Sequence, residues 1–136
     1  MSNVRIYPDT THKTRLSSQA QEFRAAYQIA NSTAHSVRTR QRNLITEEFK
    51  EFLEAEGMLF RLGTRFKPDC LKELADLGYV CYLYAANMDW DLDEAMYRVH
   101  ESNMSKLDED GKPILREDGK VLKGPNYKPP NLEDLV

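Results

Sequence analysis

The chain has 136 residues, a formal net charge of −3, 30% charged and 40% hydrophobic residues, which fits one soluble domain with enough length to bury a core. No apolar run approaches the roughly 20 residues of a spanning helix, and the N-terminal MSNVRIYPDTTHK lacks the apolar stretch of a secretory signal, so a cytoplasmic protein off the membrane is expected. Residues 1 to 46 hold seven Lys/Arg against two Asp/Glu, which places the acidity later in the chain and argues against nucleic acid as a partner.

In chain order, residues 1 to 15 are polar, aperiodic and broken by Pro8, an N-terminal arm. From Leu16 the apolar positions Leu16, Ala20, Phe23, Tyr27, Ala30 and Ala34 recur at spacings of four and three, which predicts a first helix starting near Ser17 or Ser18. A second helix is expected from about Val37 to Leu62, with Gly63 marking its end. Pro68 suits the first turn of a third helix, which the pattern carries to Asn87 or Met88. Asp91 with Glu94 reads as a capping pair that opens a fourth helix through about Lys106, with the stripe Leu92, Ala95, Met96 and Val99. These four make a helical core over residues 16–107.

After Leu107 the turn signals Asp110-Gly111 and Asp118-Gly119 alternate with the short runs Ile114-Leu115 and Val121-Leu122. That pattern predicts a small β-hairpin, followed from Lys128 by a Pro-broken, acidic, extended tail, so residues 108–136 form hairpin and tail. The expected fold is all-α: a four-helix core bundle with a C-terminal hairpin, in a single domain. Cys70 and Cys81, eleven apart, fit neither a CxxC clasp nor a disulfide framework and read as reduced thiols.

The segment TEEFKEFLEAEG, Thr46 to Gly57, holds five glutamates among Phe49, Phe52, Leu53 and Ala55. A helix turns 100° per residue, so Leu44, Glu48, Glu51, Phe52, Ala55 and Leu59 share one stripe, while Glu47, Lys50 and Glu54 fall away from it. On the third helix Glu73, Asp76, Leu77, Val80, Tyr84 and Asn87 share a face in the same way. Four carboxylates on the inner faces of neighbouring helices need compensation, because taking an ion out of water costs several kcal/mol. Arg or Lys side chains, protons and hard divalent cations are all candidates, and such cations share oxygen ligands with phosphates. The fourth helix continues its stripe to Asn103 and Lys106, an amide and an ammonium suited to anionic oxygens.

The pattern Glu48-Phe49-Lys50-Glu51, a gap of twenty-one residues, then Glu73-Leu74-Ala75-Asp76 resembles the ExxE…ExxD signature of the all-α nucleoside triphosphate pyrophosphohydrolases, the MazG-like family that includes phosphoribosyl-ATP pyrophosphohydrolase. RNLITEEFKEF, KELADLGYVCYLYAANM and VHESNMSKL carry the likeness over about residues 16 to 127. The resemblance implies hydrolysis of a nucleoside triphosphate to its monophosphate and pyrophosphate. It implies Mg²⁺ or Mn²⁺ on Glu48, Glu51, Glu73 and Asp76, phosphate contacts from Asn103 and Lys106, and assembly as a homodimer or homotetramer. Glu48 or Glu51 would accept the proton of the attacking water, and Lys106 would stabilise the leaving pyrophosphate as a point charge. A purine deoxynucleotide such as dGTP or dATP is the leaning on substrate, from the supply of aromatic side chains.

Plainer readings stand beside these. The acids fit a salt-bridged surface helix pair, and a di-iron bundle is disfavoured because neither acidic pair carries the Glu-x-x-His spacing. Asn103 and Lys106 fit a helix end, Arg38, Arg40 and Arg42 a solvated basic face, and Tyr79, Tyr82, Tyr84 and Trp90 a packed core. His12, His35 and His100 lie apart with no ligand spacing. The rival function is a non-catalytic bundle that binds nucleotides or a protein partner.

Overall fold

The computed structural model describes residues 15–136; the expected N-terminal arm, Arg15 apart, and His12 lie outside the described residues. Four α-helices follow in order, α1 Leu16–Ala26, α2 His35–Leu62, α3 Lys67–Asn87 and α4 Leu92–Met104, with single 3₁₀ turns at Thr64–Phe66 and Glu133–Leu135. Among the described residues no helix is long and apolar enough to cross a membrane.

The chain's own punctuation sets most helix ends. Gly63, at φ 94°, closes α2 and donates its N–H to the Leu59 carbonyl at 3.0 Å, using the positive φ that glycine adopts without a Cβ penalty. Pro68 sits in the first turn of α3, where its missing N–H breaks no helical bond. The Asp91 carboxylate accepts the Glu94 N–H at 3.0 Å to open α4.

Helix α1 is shorter than its apolar spacing predicts. Gln28 takes φ 57°, and the Ile29 N–H turns back to the Arg24 carbonyl at 2.8 Å, so Ala30 and Ala34 belong to the connection into α2. Helix α4 ends at Met104, leaving Lys106 beyond it.

The four-residue connection 63–66 folds α3 back along α2, and this hairpin carries the most extensive packing in the chain. Helix α1 lies across α3, where Ala20, Val80, Leu83 and Ala86 form the buried core, flanked by Phe23, Leu44, Ile45 and Tyr82. Helix α4 rests lightly on α1 and, among the described residues, adds no side chain to that buried cluster. Its N-terminus is pinned by polar contacts: Asp93 Oδ2 accepts the Ser17 N–H at 2.9 Å, Tyr82 donates its hydroxyl to Asp93 at 3.0 Å, and Arg15 pairs with Asp91 and Asp93.

The expected C-terminal hairpin is not formed. Residues 108–124 make two glycine turns, at Gly111 and Gly119, with one isolated antiparallel bridge between Leu115 and Val121 and no strand. The apolar runs on either side are two residues long, and Leu115 and Val121 both stay exposed. No face is covered, and a bare two-stranded ribbon has little to stabilise it. The tail then straps α4, with Arg98 donating two bonds to the Asp134 carboxylate and one to the Asn131 carbonyl, and Ser102 Oγ donating to the Lys128 carbonyl.

Candidate metal and phosphate site

The α2/α3 hairpin brings Glu48 together with Glu73 and Asp76. One carboxylate oxygen from each lies within 4.8 Å of the other two. The i, i+3 spacing of Glu73 and Asp76 puts both on the face of α3 that meets α2, and the return of the chain at 63–66 sets the register that places Glu48 opposite them. All three are half-buried.

Two of the oxygens have no hydrogen-bond partner, Glu48 Oε2 and Glu73 Oε2, both buried. Native proteins leave few such atoms unsatisfied, and an ion is one of the things that explains them. Burial first, then the adjoining Glu51 carboxylate and the charges of Asp76 and Glu73, push the Glu48 carboxyl up to about 7. Glu51 thus stands beside Glu48 but outside the three-residue cluster.

The cation present is one that inspection of the wheel does not reveal. Lys72 Nζ lies 2.7 Å from Asp76 Oδ2 and 3.3 Å from Glu73 Oε1, and those two carboxylates hold its ammonium above the ordinary lysine range. The available signal is that Lys72 stands next to one acid of the motif and four residues before the other.

Asn103 and Lys106 are not drawn into this cluster by any contact among the described residues. Asn103 is exposed in the last turn of α4 and accepts the Lys106 N–H at 3.2 Å on its carbonyl. Lys106 is half-buried next to Gly124, where an added Cβ would stand 2.6 Å from the Lys106 carbonyl oxygen. On α2, Arg38 Nε and Gln41 Oε1 are two further buried atoms without a partner. The aromatic side chains go into packing: Tyr79 meets Phe23 edge to face at 5.6 Å between centroids, and Tyr84 tilts against Trp90 at 6.1 Å.

A second polar centre holds the frame. Arg24, 1% exposed, donates to Asn31 Oδ1 at 2.7 Å, to the Ala30 carbonyl at 3.1 Å and to Asn87 Oδ1 at 2.9 Å. Asn87 in turn clasps both backbone groups of Ser32, accepting its N–H and donating to its carbonyl, each at 2.9 Å. Burial without a carboxylate partner lowers the Arg24 guanidinium below its ordinary range. The wheel finds Asn87 on the inner face of α3 but gives no hint of Arg24, because the bend at Gln28 that folds Ala30 and Asn31 back over it is not a periodic feature.

Three carboxylates converging from two rigid helices, with buried oxygens left open, form a hard oxygen donor set that suits a divalent cation and, through it, phosphate oxygens. A family model for phosphoribosyl-ATP pyrophosphohydrolase matches residues 13–103. The match includes Glu48, Glu51, Glu73 and Asp76, ends on Asn103, and leaves Lys106 and the tail outside. No curated protein matches the chain. The match spans well over half of the sequence and takes in the acidic cluster with the helices that build it, and the chain belongs to the phosphoribosyl-ATP pyrophosphohydrolase family of MazG-like, all-α pyrophosphohydrolases.

Proposed function

We propose that the protein hydrolyses a (deoxy)nucleoside triphosphate to the monophosphate and pyrophosphate, using Mg²⁺ or Mn²⁺ held by Glu48, Glu73 and Asp76 with Glu51 beside them. The observation that carries this reading is the cluster of three carboxylates within 4.8 Å, two of whose buried oxygens have no partner. The cation supplies charge neutralisation at the phosphates.

The remaining work falls to the chain's own residues. Glu51 lies outside the cluster yet next to Glu48, so it is the carboxylate left to orient a water and take its proton, with Glu48 as the neighbour that shares the charge. Asn103 and Lys106 bind the departing phosphates, Lys106 as a point charge.

We further propose that the active species is a homo-oligomer. Phe49, Leu53, Phe60, Leu71 and Leu74 are exposed on the α2/α3 hairpin, Phe60 at 86%, more apolar surface along one element than a monomer usually shows. A second hairpin laid against the first would cover these side chains and would bring a second α4 into the neighbourhood of the acids.

The test is incubation with each dNTP and NTP plus Mg²⁺, dGTP and dATP first, with products separated by chromatography. Equimolar monophosphate and pyrophosphate from at least one substrate, lost in Glu51→Gln, is the expected result. No turnover of any nucleotide, with Glu48→Gln and Glu73→Gln binding Mn²⁺ as well as the parent, would leave the non-catalytic binding bundle in its place.

A further inference from the structure

The cluster already holds a positive charge, and it holds it in the wrong place to satisfy the acids. Lys72 Nζ reaches Glu73 Oε1 and Asp76 Oδ2, one oxygen of each, while Glu73 Oε2 and Glu48 Oε2 stay buried and unpartnered. The ammonium therefore covers one side of the cluster and leaves the other without a cation. A point charge on a four-carbon stem is also easy to move, because the Lys72 side chain is 66% exposed and regains hydration when it lets go.

We propose that Lys72 is a resident counter-ion of this site: it sits on Glu73 and Asp76 when no divalent cation is bound, and a divalent cation binds in competition with it. The inference rests on the metal-site reading given above and adds a determinant of how tightly that site binds. Any ion that shares oxygens of Glu48, Glu73 and Asp76, which lie within 4.8 Å of one another, comes close to an ammonium that is 2.7 Å from one of those carboxylates. Two cations that close repel, so each disfavours the other's occupancy of the cluster. Competition from Lys72 then weakens the apparent affinity for the metal, and in the metal-free protein the same ammonium offsets the repulsion between Glu73 and Asp76. Lys72 acts through the carboxylates and is thus a positioning residue rather than a catalytic one.

The experiment is calorimetric titration of Mn²⁺ into the full-length protein, its metal first removed with chelator, for the parent, Lys72→Met, Lys72→Gln and Lys72→Arg. The exposed side chain makes loss of folding in these variants unexpected, and circular dichroism checks it. The two neutral variants should bind Mn²⁺ at least about fivefold more tightly than the parent, the low end of ordinary coupling between two ligands, and Lys72→Arg should stay within about twofold of it. Equal or weaker binding by both neutral variants, with the parent binding normally, overturns the role of Lys72 and leaves the metal site standing. Absence of Mn²⁺ binding in the parent and in every variant overturns both readings together.

Discussion

Replacing Glu48 by Gln keeps the side chain's shape and removes its charge, which isolates the electrostatic cost of the cluster from catalysis. The Glu48 carboxyl is pushed from an ordinary value of 4.5 up to about 7, by burial and then by Glu51, Asp76 and Glu73. A raised carboxyl binds its proton more tightly in the folded chain than in the unfolded one. Its stabilising contribution is therefore complete below the unfolded value and is lost as pH rises through the folded one. At about 1.36 kcal/mol per pH unit the full rise is worth about 3 kcal/mol. Water reaches these half-buried groups, so about 1 to 2 kcal/mol is the expected net effect. The assay is urea denaturation in chelator at fixed protein concentration, at pH 5 and pH 8, for parent and Glu48→Gln. The parent should lose about 1 to 2 kcal/mol more than the variant between the two pH values, and millimolar Mn²⁺ should restore the parent at pH 8. Parallel pH dependences for the two proteins would refute the claim that burial and the neighbouring carboxylates hold a proton on Glu48.

Three other substitutions probe the frame around the site. Asn87→Ala removes the acceptor of the buried Arg24 and both partners of Ser32, and should cost about 2 to 3 kcal/mol in chemical denaturation. Gly124→Ala places a Cβ 2.6 Å from the Lys106 carbonyl oxygen, so the segment must shift at about 1 to 3 kcal/mol. Hydrogen exchange at Tyr127 and Lys128, whose N–H groups bond Gly124 and Ser105 Oγ, should speed up while α2 and α3 keep their protection. Arg98 holds the Asp134 carboxyl below the ordinary carboxylate range, so that contact is intact above about pH 3.9 and fades as pH falls through the depressed value. NMR order parameters at Leu135 and Val136 should drop in the parent only as acidification passes through that depressed value, and should be low at every pH in Arg98→Met.

What the sequence reveals and what it hides divide along one line, between features set by period and features set by side-chain reach. The inner faces of α2 and α3 follow from the 3.6-residue period, and the ends at Gly63, Pro68 and Asp91 follow from local backbone chemistry, so these elements and the meeting of Glu48 with Glu73 and Asp76 are legible. Helix α1 overruns in the prediction because Ala30 and Ala34 continue its spacing, while the positive φ of Gln28 has no glycine to announce it. The hairpin is expected from Asp-Gly turns alone, yet a turn does not make a strand when nothing covers the flanking side chains. A wheel also cannot rank Glu51 against Glu48, because both fall on the same stripe and only the register against α3 separates them. Lys72 escapes for the complementary reason: it sits at the edge of the inner face, one turn before Asp76, and only its flexible stem brings the ammonium onto the acids.

Helix α4 shows how the same line runs through the proposed site. Of its apolar stripe Leu92, Ala95 and Val99 are half-buried, while Met96, and Tyr97 beside the stripe, are both more than half exposed. Polar pins hold it in place: Arg15, Ser17 and Tyr82 on Asp91 and Asp93 at one end, and the strap from Arg98 to Asp134 along its length. Pins of this kind fix where a helix sits without burying all of its apolar side chains, so Met96 and Tyr97 remain available to cover another surface. The exposed side chains of the α2/α3 hairpin present a surface of the same chemistry. The residues proposed for the phosphates, Asn103 and Lys106, lie in the last turn of that helix and just beyond it. Burying Met96 and Tyr97 against a second chain would therefore cover apolar surface and fix the phosphate-side residues relative to the acids at once, so a Met96→Lys substitution is expected to reduce assembly and activity together.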